Sequence, residues 1–173
     1  LGVVETQDQA AAARVMGWMP YVDSTRMGIW GWSYGGFMSL NALFQAPDVY
    51  STAVAVAPVT HWKYYDNIYT ERYNGLPQDN AAGYDKGSPL SYVDQMRGKL
   101  LLVHGSGDDN VHYQNSEALV NALVRANKPF DMMEYPNRTH SIAGGTTRQH
   151  LFELLTRYLR TNLAGEEPRP LTP

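Results

Sequence analysis

The chain has 173 residues, of which 43 % are hydrophobic and 18 % charged, and this length suits one globular domain with a sizeable core. The 14 Lys and Arg against 17 Asp and Glu give a net charge of −3 without a run of like charge, which disfavours a basic nucleic-acid-binding face. No apolar stretch approaches the roughly 20 residues that span a bilayer, so no membrane segment is predicted. The lack of cysteine excludes disulfides, thiolate zinc sites and a cysteine nucleophile. Because no leader precedes Leu1, we expect the chain to be part of a longer protein.

Four short apolar runs alternate with helical patterns, which predicts an α/β class with βαβ units and a largely parallel sheet. The predicted strands cover residues 26–30, 53–57, 99–104 and 130–135. The predicted helices cover residues 8–18, 37–46 and 116–126, and the third of them carries Leu119, Val120, Leu123 and Val124 on one side. A last helical segment has Leu151, Leu155, Tyr158 and Leu159 on one face. Residues 74–89 are rich in Gly, Pro and Asp and predict an excursion over the surface. Residues 1–165 are expected to form the domain, and 166–173 a flexible tail.

A G-x-S-x-G pattern, formed by Gly31, Ser33 and Gly35, lies between a predicted strand and a predicted helix. A nucleophilic serine needs a sharp turn that lifts its hydroxyl clear of the sheet, and flanking glycines leave room for that turn. The following helix would aim backbone N–H groups at a developing oxyanion. A plain glycine-rich connection between a strand and a helix is the alternative interpretation.

A serine nucleophile requires an acid and a histidine further along the chain, in the order Ser, Asp, His. Asp108 and Asp109 both follow the third predicted strand, and their spacing does not choose between them. Among the five histidines, His140 is favoured as the base because it lies in the loop between the fourth strand and the last helix.

The other histidines are interpreted as packed or hydrogen-bonded structural residues: His61, His104, His112 and His150. A metal site built from His104, Asp108, Asp109 and His112 is an alternative, since imidazole and carboxylate ligands suit zinc or manganese. The triad is the preferred hypothesis.

Three aromatic residues, Trp62, Tyr65 and Tyr69, recur at spacings of three and four, which predicts that they line one face of a helix. They could form an aromatic stripe in the core. They could also form a flat apolar pocket wall beside the nucleophile, suited to a compact ring such as proline.

Several stretches together resemble the C-terminal part of the peptidase domain in the prolyl oligopeptidase family of serine peptidases. They are GWSYGG, AVAPVTHWKYYDNIYTERYNGLP, LLVHGSGDDNVHYQNS and the loop around His140, and they span most of residues 26–150. The resemblance implies an α/β-hydrolase fold, here with an incomplete, mostly parallel sheet flanked by helices. It implies no cofactor and no metal.

Carried over by position, the resemblance implies Ser33 as nucleophile, Asp108 as orienting acid and His140 as base. Tyr34 would give its backbone N–H to the oxyanion and its ring to the proline pocket, and Asn110 would hold a substrate carbonyl. The remaining pocket residues would be Val59, Trp62, Tyr65, Tyr69 and Val111.

The implied reaction releases an N-terminal dipeptide whose second residue is Pro or, less well, Ala. The family draws paired glutamates for the substrate amine from an upstream β-propeller domain, and a second oxyanion donor, a tyrosine, from an earlier loop; neither lies in this sequence. We therefore expect the first strand to be an exposed edge and the isolated chain to be nearly inactive. The resemblance also implies a periplasmic, cell-surface or secreted protein that dimerises through its hydrolase domain, with the last helix as a candidate surface. An acyl-peptide hydrolase or esterase, or a non-catalytic interaction domain, are the alternatives.

Overall fold

A computed structural model describes residues 1–164, and these form a four-stranded parallel sheet with helices on both faces. The strands are β1 (Gly28–Trp32), β2 (Thr52–Val56), β3 (Lys99–Gly105) and β4 (Asp131–Tyr135). The helices are α1 (Val4–Met16), α2 (Tyr34–Gln45), α3 (Asn67–Asn74), α4 (Ala81–Gly87), α5 (Gln114–Arg125) and α6 (Thr147–Leu159), with 3₁₀ turns at Trp62–Tyr64 and Pro89–Gln95 and a π turn at Arg160–Ala164. The α/β class and the parallel sheet are thus confirmed. The predicted tail lies outside the described residues.

Each strand pairs with the next one along the chain, in the order β1-β2-β3-β4. Successive side chains of a strand point to opposite faces of the sheet. The unbroken apolar runs of β2 and β3 therefore contribute to two hydrophobic cores, one on each face. Ala53 and Leu100 belong to the core beneath α1, α2 and α5, whereas Val54 and Leu101 belong to the core beneath α6. In the described chain β1 is an edge, as predicted, and its Trp30 is half exposed.

The structure moves the boundary of the first strand toward the carboxyl end. β1 runs to Trp32, because Gly31 and Trp32 still pair with Ala55 and Val56, and helix α2 begins at Tyr34. Only Ser33 is left between the strand and the helix, so the turn is much tighter than the predicted six-residue glycine-rich connection.

Two further predictions are wrong. The segment 74–89 is not simply a surface excursion, because it contains helix α4 and buries Tyr84 completely, with the Tyr84 hydroxyl donating to the Gly75 carbonyl at 2.8 Å. On α5, Val124 faces solvent rather than the core, because the buried stripe of this helix follows Leu119 and Leu123.

Candidate active site

Ser33 occupies a strained turn at the carboxyl end of β1. Its φ of 60° and ψ of −117° lie outside the regions that L residues ordinarily adopt. A Cβ on Gly31 would lie 2.3 Å from the backbone of Gly35, so this turn requires glycine at position 31. The Ser33 N–H donates to the Val56 carbonyl at 2.8 Å, which anchors the turn to the neighbouring strand. Because that N–H is occupied, the next donor along the chain is Tyr34 N–H, at the start of α2, where helix N–H groups lack intrahelical partners.

Asp108 is the carboxylate that contacts His140. The two side chains meet at 2.7 Å between Asp108 Oδ2 and His140 Nδ1, and the Asp108 side chain is fully buried. Asp108 Oδ1 accepts from the backbone N–H groups of Asn110 at 3.0 Å and Val111 at 2.9 Å. Asp109 is exposed. The structure therefore brings only the first of the two candidate acids to His140.

The pKa of Asp108 lies well below its usual range. Burial opposes ionisation, but hydrogen bonds from His104, His140 and the Asn110 backbone stabilise the charged form and outweigh it. A permanently ionised Asp108 can hold His140 in the tautomer that has its proton on Nδ1. His140 Nε2 is then left as the acceptor, which is the arrangement a general base needs.

The loop with Asp108 and the loop with His140 are joined along their length by hydrogen bonds. Gly107 N–H donates to the Arg138 carbonyl at 3.1 Å, and Asn137 N–H donates to Ser106 Oγ at 3.0 Å. A Cβ on Gly105 would lie 2.2 Å from the Arg138 carbonyl oxygen, so the close approach depends on glycine there. The relative position of acid and base is thus fixed by backbone contacts.

Trp32 connects the turn at Ser33 to His140. Its indole Nε1–H donates to the His140 carbonyl at 3.0 Å, and the Arg148 guanidinium lies 5.6 Å from its ring centroid. Among residues 1–164 no hydrogen bond joins Ser33 Oγ to His140; such bonds are often long in the absence of substrate and tighten when it binds.

An aromatic cluster adjoins the turn at Ser33. It contains all six predicted pocket residues, namely Tyr34, Val59, Trp62, Tyr65, Tyr69 and Val111, together with Phe37 and Tyr84. The Trp62 ring stacks on Tyr69 at 5.5 Å and meets Tyr65 edge-on at 5.8 Å. Asn110 is joined to this cluster, since its Oδ1 accepts from the Tyr65 hydroxyl at 2.8 Å.

The prediction that Trp62, Tyr65 and Tyr69 share one helix face is wrong. Trp62 starts a 3₁₀ turn, Tyr65 is extended, and Tyr69 lies on α3, whose N-terminus is capped by Asp66. The rings converge because the chain folds back on itself between two short helices.

Sequence reasoning missed the contribution of Glu5. This residue lies in the first turn of α1, and its carboxylate accepts from the Tyr34 hydroxyl at 3.2 Å and from Gly2 N–H at 3.0 Å. Burial, reinforced by the nearby Glu5 charge, raises the pKa of Tyr34, so the phenol stays protonated and continues to donate. Glu5 is one of two acidic residues on an alanine-rich helix, and nothing in the sequence signals this contact.

A metal centre finds no support in the geometry. Within the part of the chain that the structure describes, no three His, Asp or Glu side chains are arranged as metal ligands. His104 is wholly buried and hydrogen-bonded, whereas Asp109 and His112 line an open cleft of about 650 Å³. No helix in residues 1–164 is both long enough and apolar enough to cross a membrane.

The strand–turn–helix at Ser33, followed by an acid after β3 and a histidine after β4, defines the class as α/β-hydrolase. The profile of the family described as "Prolyl oligopeptidase family" matches residues 1–166. This chain belongs to that family.

Named relatives fit this membership. A "Probable dipeptidyl-aminopeptidase B" of Metarhizium robertsii is 45 % identical over 99 % of this chain and 20 % of its own length. A "Prolyl endopeptidase FAP" of Mus musculus is 41 % identical over 92 % of this chain and 21 % of its own length. The crystal structure of Porphyromonas gingivalis dipeptidyl peptidase 4 matches with a TM-score of 0.92 and 50 % identity, over 94 % of this chain and 23 % of that one. The chain thus spans about a fifth of the length of the curated relatives it matches.

Proposed function

We propose that the protein containing this chain is a serine peptidase that releases N-terminal dipeptides with Pro or, less well, Ala in second position. The strongest support is that two features occur side by side in one turn. Ser33 carries the strained geometry of a nucleophile, and the next residue, Tyr34, packs into the aromatic cluster, 6.0 Å from the Trp62 ring centroid. A substrate held in that cluster by a proline ring would present its following carbonyl to Ser33.

In the proposed reaction, Ser33 Oγ attacks the carbonyl carbon after the second residue while His140 Nε2 takes the hydroxyl proton. The Tyr34 N–H donates a hydrogen bond to the carbonyl oxygen and stabilises the negative charge that develops on it. Asp108 stabilises the imidazolium through the bond to His140 Nδ1. His140 then gives its proton to the leaving amine, and the peptide C–N bond breaks. In the second half, His140 takes a proton from water as the water attacks the Ser33 ester, and it returns that proton to Ser33 Oγ as the ester bond breaks and the dipeptide acid leaves.

Selectivity for Pro would come from shape. In this proposal the packed rings of Trp62, Tyr65 and Tyr69 would form a flat wall that fits a compact ring, and an Ala side chain would leave part of that surface uncovered. Cleavage after the second residue only would require recognition of the substrate's free amine by the paired glutamates that the family draws from the β-propeller. By the same resemblance we expect an exported protein, dimerisation through α6, and almost no turnover by the isolated chain.

The test is release of p-nitroaniline from Gly-Pro-p-nitroanilide and from its N-acetylated twin by the full-length protein, with Ser33→Ala as control. We expect cleavage of the free-amine substrate only, and a loss of at least about 10⁴-fold in kcat for the variant. Equal cleavage of both substrates would reassign the protein to an endopeptidase or acyl-peptide hydrolase. Activity that survives in Ser33→Ala would refute the assigned nucleophile.

A further inference from the structure

His104 is a fully buried histidine behind the acid loop that the proposed reaction does not use. It lies near the end of β3, and its imidazole contacts three groups. Nδ1 lies 2.7 Å from Ser116 Oγ, and Nε2 lies 3.1 Å from Asp108 Oδ2 and 2.8 Å from the Val111 carbonyl oxygen. An imidazole with all of its polar atoms engaged and no access to solvent has a fixed orientation.

The partners determine which nitrogen carries the proton. Both groups that face Nε2, the ionised Asp108 carboxylate and the Val111 carbonyl, are acceptors only. Nε2 must therefore be the donor. In the neutral ring Nδ1 is then an acceptor, and the Ser116 hydroxyl donates to it. Ser116 at the start of α5 thus stabilises, by donating to Nδ1, the tautomer that offers an N–H to Asp108.

We propose that His104 is a positioning residue, which orients the Asp108 carboxylate toward His140; this inference rests on the proposed peptidase function. Asp108 Oδ1 is held by two backbone N–H groups, and Oδ2 is shared by His140 and His104. The terminal torsion of an aspartate is intrinsically broad, so the second donor on Oδ2 is what restricts the plane of the carboxylate. The His104 imidazole also hydrogen-bonds the carbonyl of Val111. Because Val111 belongs to the predicted substrate pocket, His104 connects Asp108 to that pocket.

Apart from the Val111 carbonyl, which shares the Nε2 proton with Asp108, the described surroundings of His104 supply no further acceptor for Nε2. The Tyr113 ring lies edge-on to the imidazole at 5.4 Å, and its hydroxyl is taken by Glu134 at 3.0 Å. The titratable groups that face this site are therefore Asp108, His140 and Tyr113, together with Glu134 behind the phenol. Without the His104 N–H, Asp108 Oδ2 would accept a hydrogen bond from His140 alone. That single bond would be stronger, but the plane of the Asp108 carboxylate would be less restricted.

The test compares His104→Gln, His104→Leu and Ser116→Ala in the full-length protein, with kcat normalised to the fraction of Ser33 that a fluorophosphonate titrates. Glutamine can offer an N–H to Oδ2, whereas leucine cannot. We expect His104→Leu to lower kcat about 10- to 100-fold with KM within about twofold, and to move the acid limb of the pH profile upward by about half a unit. His104→Gln should retain most of kcat, and Ser116→Ala should lose about three- to tenfold.

The control is His150→Gln, because Nδ1 of His150 makes a similar bond to a hydroxyl, that of Tyr135, at 2.7 Å and away from Asp108. It should keep the wild-type kcat and pH profile. If His104→Leu fails to fold, Ser116→Ala decides: a wild-type kcat and acid limb in that variant would overturn the positioning role. The same result in folded His104→Leu would overturn it too. Wild-type protein that does not cleave Gly-Pro-p-nitroanilide would instead refute the proposed function.

Discussion

The contact between the acid and base loops can be tested at Gly105. A Cβ there would lie 2.2 Å from the Arg138 carbonyl oxygen, and real Cβ atoms keep at least 3.0 Å from such atoms. Gly105→Ala must therefore push the backbone of residue 138 away by 3.0 − 2.2 = 0.8 Å or more. That backbone leads directly into His140. Misplacement of a catalytic group by about 1 Å costs about 10²-fold in rate, so we expect a fall of that size in kcat/KM.

The assay is Gly-Pro-p-nitroanilide turnover by the full-length protein, alongside thermal unfolding to measure the accompanying loss of about 1–3 kcal/mol from overpacking. Gly107→Ala is the matched control, because its Cβ would approach the nearest atom, Asn137 C, at 3.2 Å, so that neighbours need to shift by only a few tenths of an ångström. It should lose far less activity. A Gly105→Ala protein with wild-type kcat/KM and an unchanged Tm would refute the loop packing described above.

Three further predictions concern the surroundings of the site. Asn115→Ala should lower the free energy of unfolding by about 1–3 kcal/mol and raise KM, because Asn115 Oδ1 accepts from the buried Thr60 N–H at 2.9 Å. An unchanged Tm would contradict this. Glu5→Ala should reduce the preference for Pro over Ala by freeing the Tyr34 ring, whereas Glu5→Gln, which keeps an acceptor, should not; equal selectivity in both variants would exclude the role of Glu5. Burial lowers the pKa of His61, so below about pH 6.5 the unfolded chain binds the proton more readily and stability falls as pH decreases. His61→Gln should flatten the decline in Tm between pH 7.5 and pH 5.5, and a parallel decline would contradict the assignment.

The sheet and the order of the candidate triad were predictable because they depend on local signals. Apolar runs such as 53–57 mark buried strands, and the loops after parallel strands meet at one edge of the sheet. Family resemblance, rather than spacing, favoured Asp108 over Asp109. The structural contrast between these neighbours is burial, which depends on the backbone path of residues 108–111 and leaves no mark in composition.

Other features depend on contacts between distant segments. Tyr65 has an extended backbone, and its hydroxyl donates to Asn110 Oδ1. The spacing of the aromatic residues therefore predicted a helix where the chain is not helical. Tyr84 is buried in a stretch whose composition suggests a surface loop, because its hydroxyl finds the Gly75 carbonyl. His104 looked like an ordinary core histidine, since its bond to Ser116 is created by the packing of α5 on the sheet.

The sequential order of the strands bears on how the protein is made. Each strand pairs with the one synthesised just before it, so every newly emerged segment can add to a sheet edge that already exists. Ser33 directly follows the first of these four strands, whereas His140 follows the fourth, so Ser33 is synthesised before His140. In the proposed mechanism, Ser33 would therefore lack His140 as its base until β4 has docked on the sheet. If the proposed peptidase function holds, this order of assembly would keep the protein inert toward nearby nascent chains until β4 has been made.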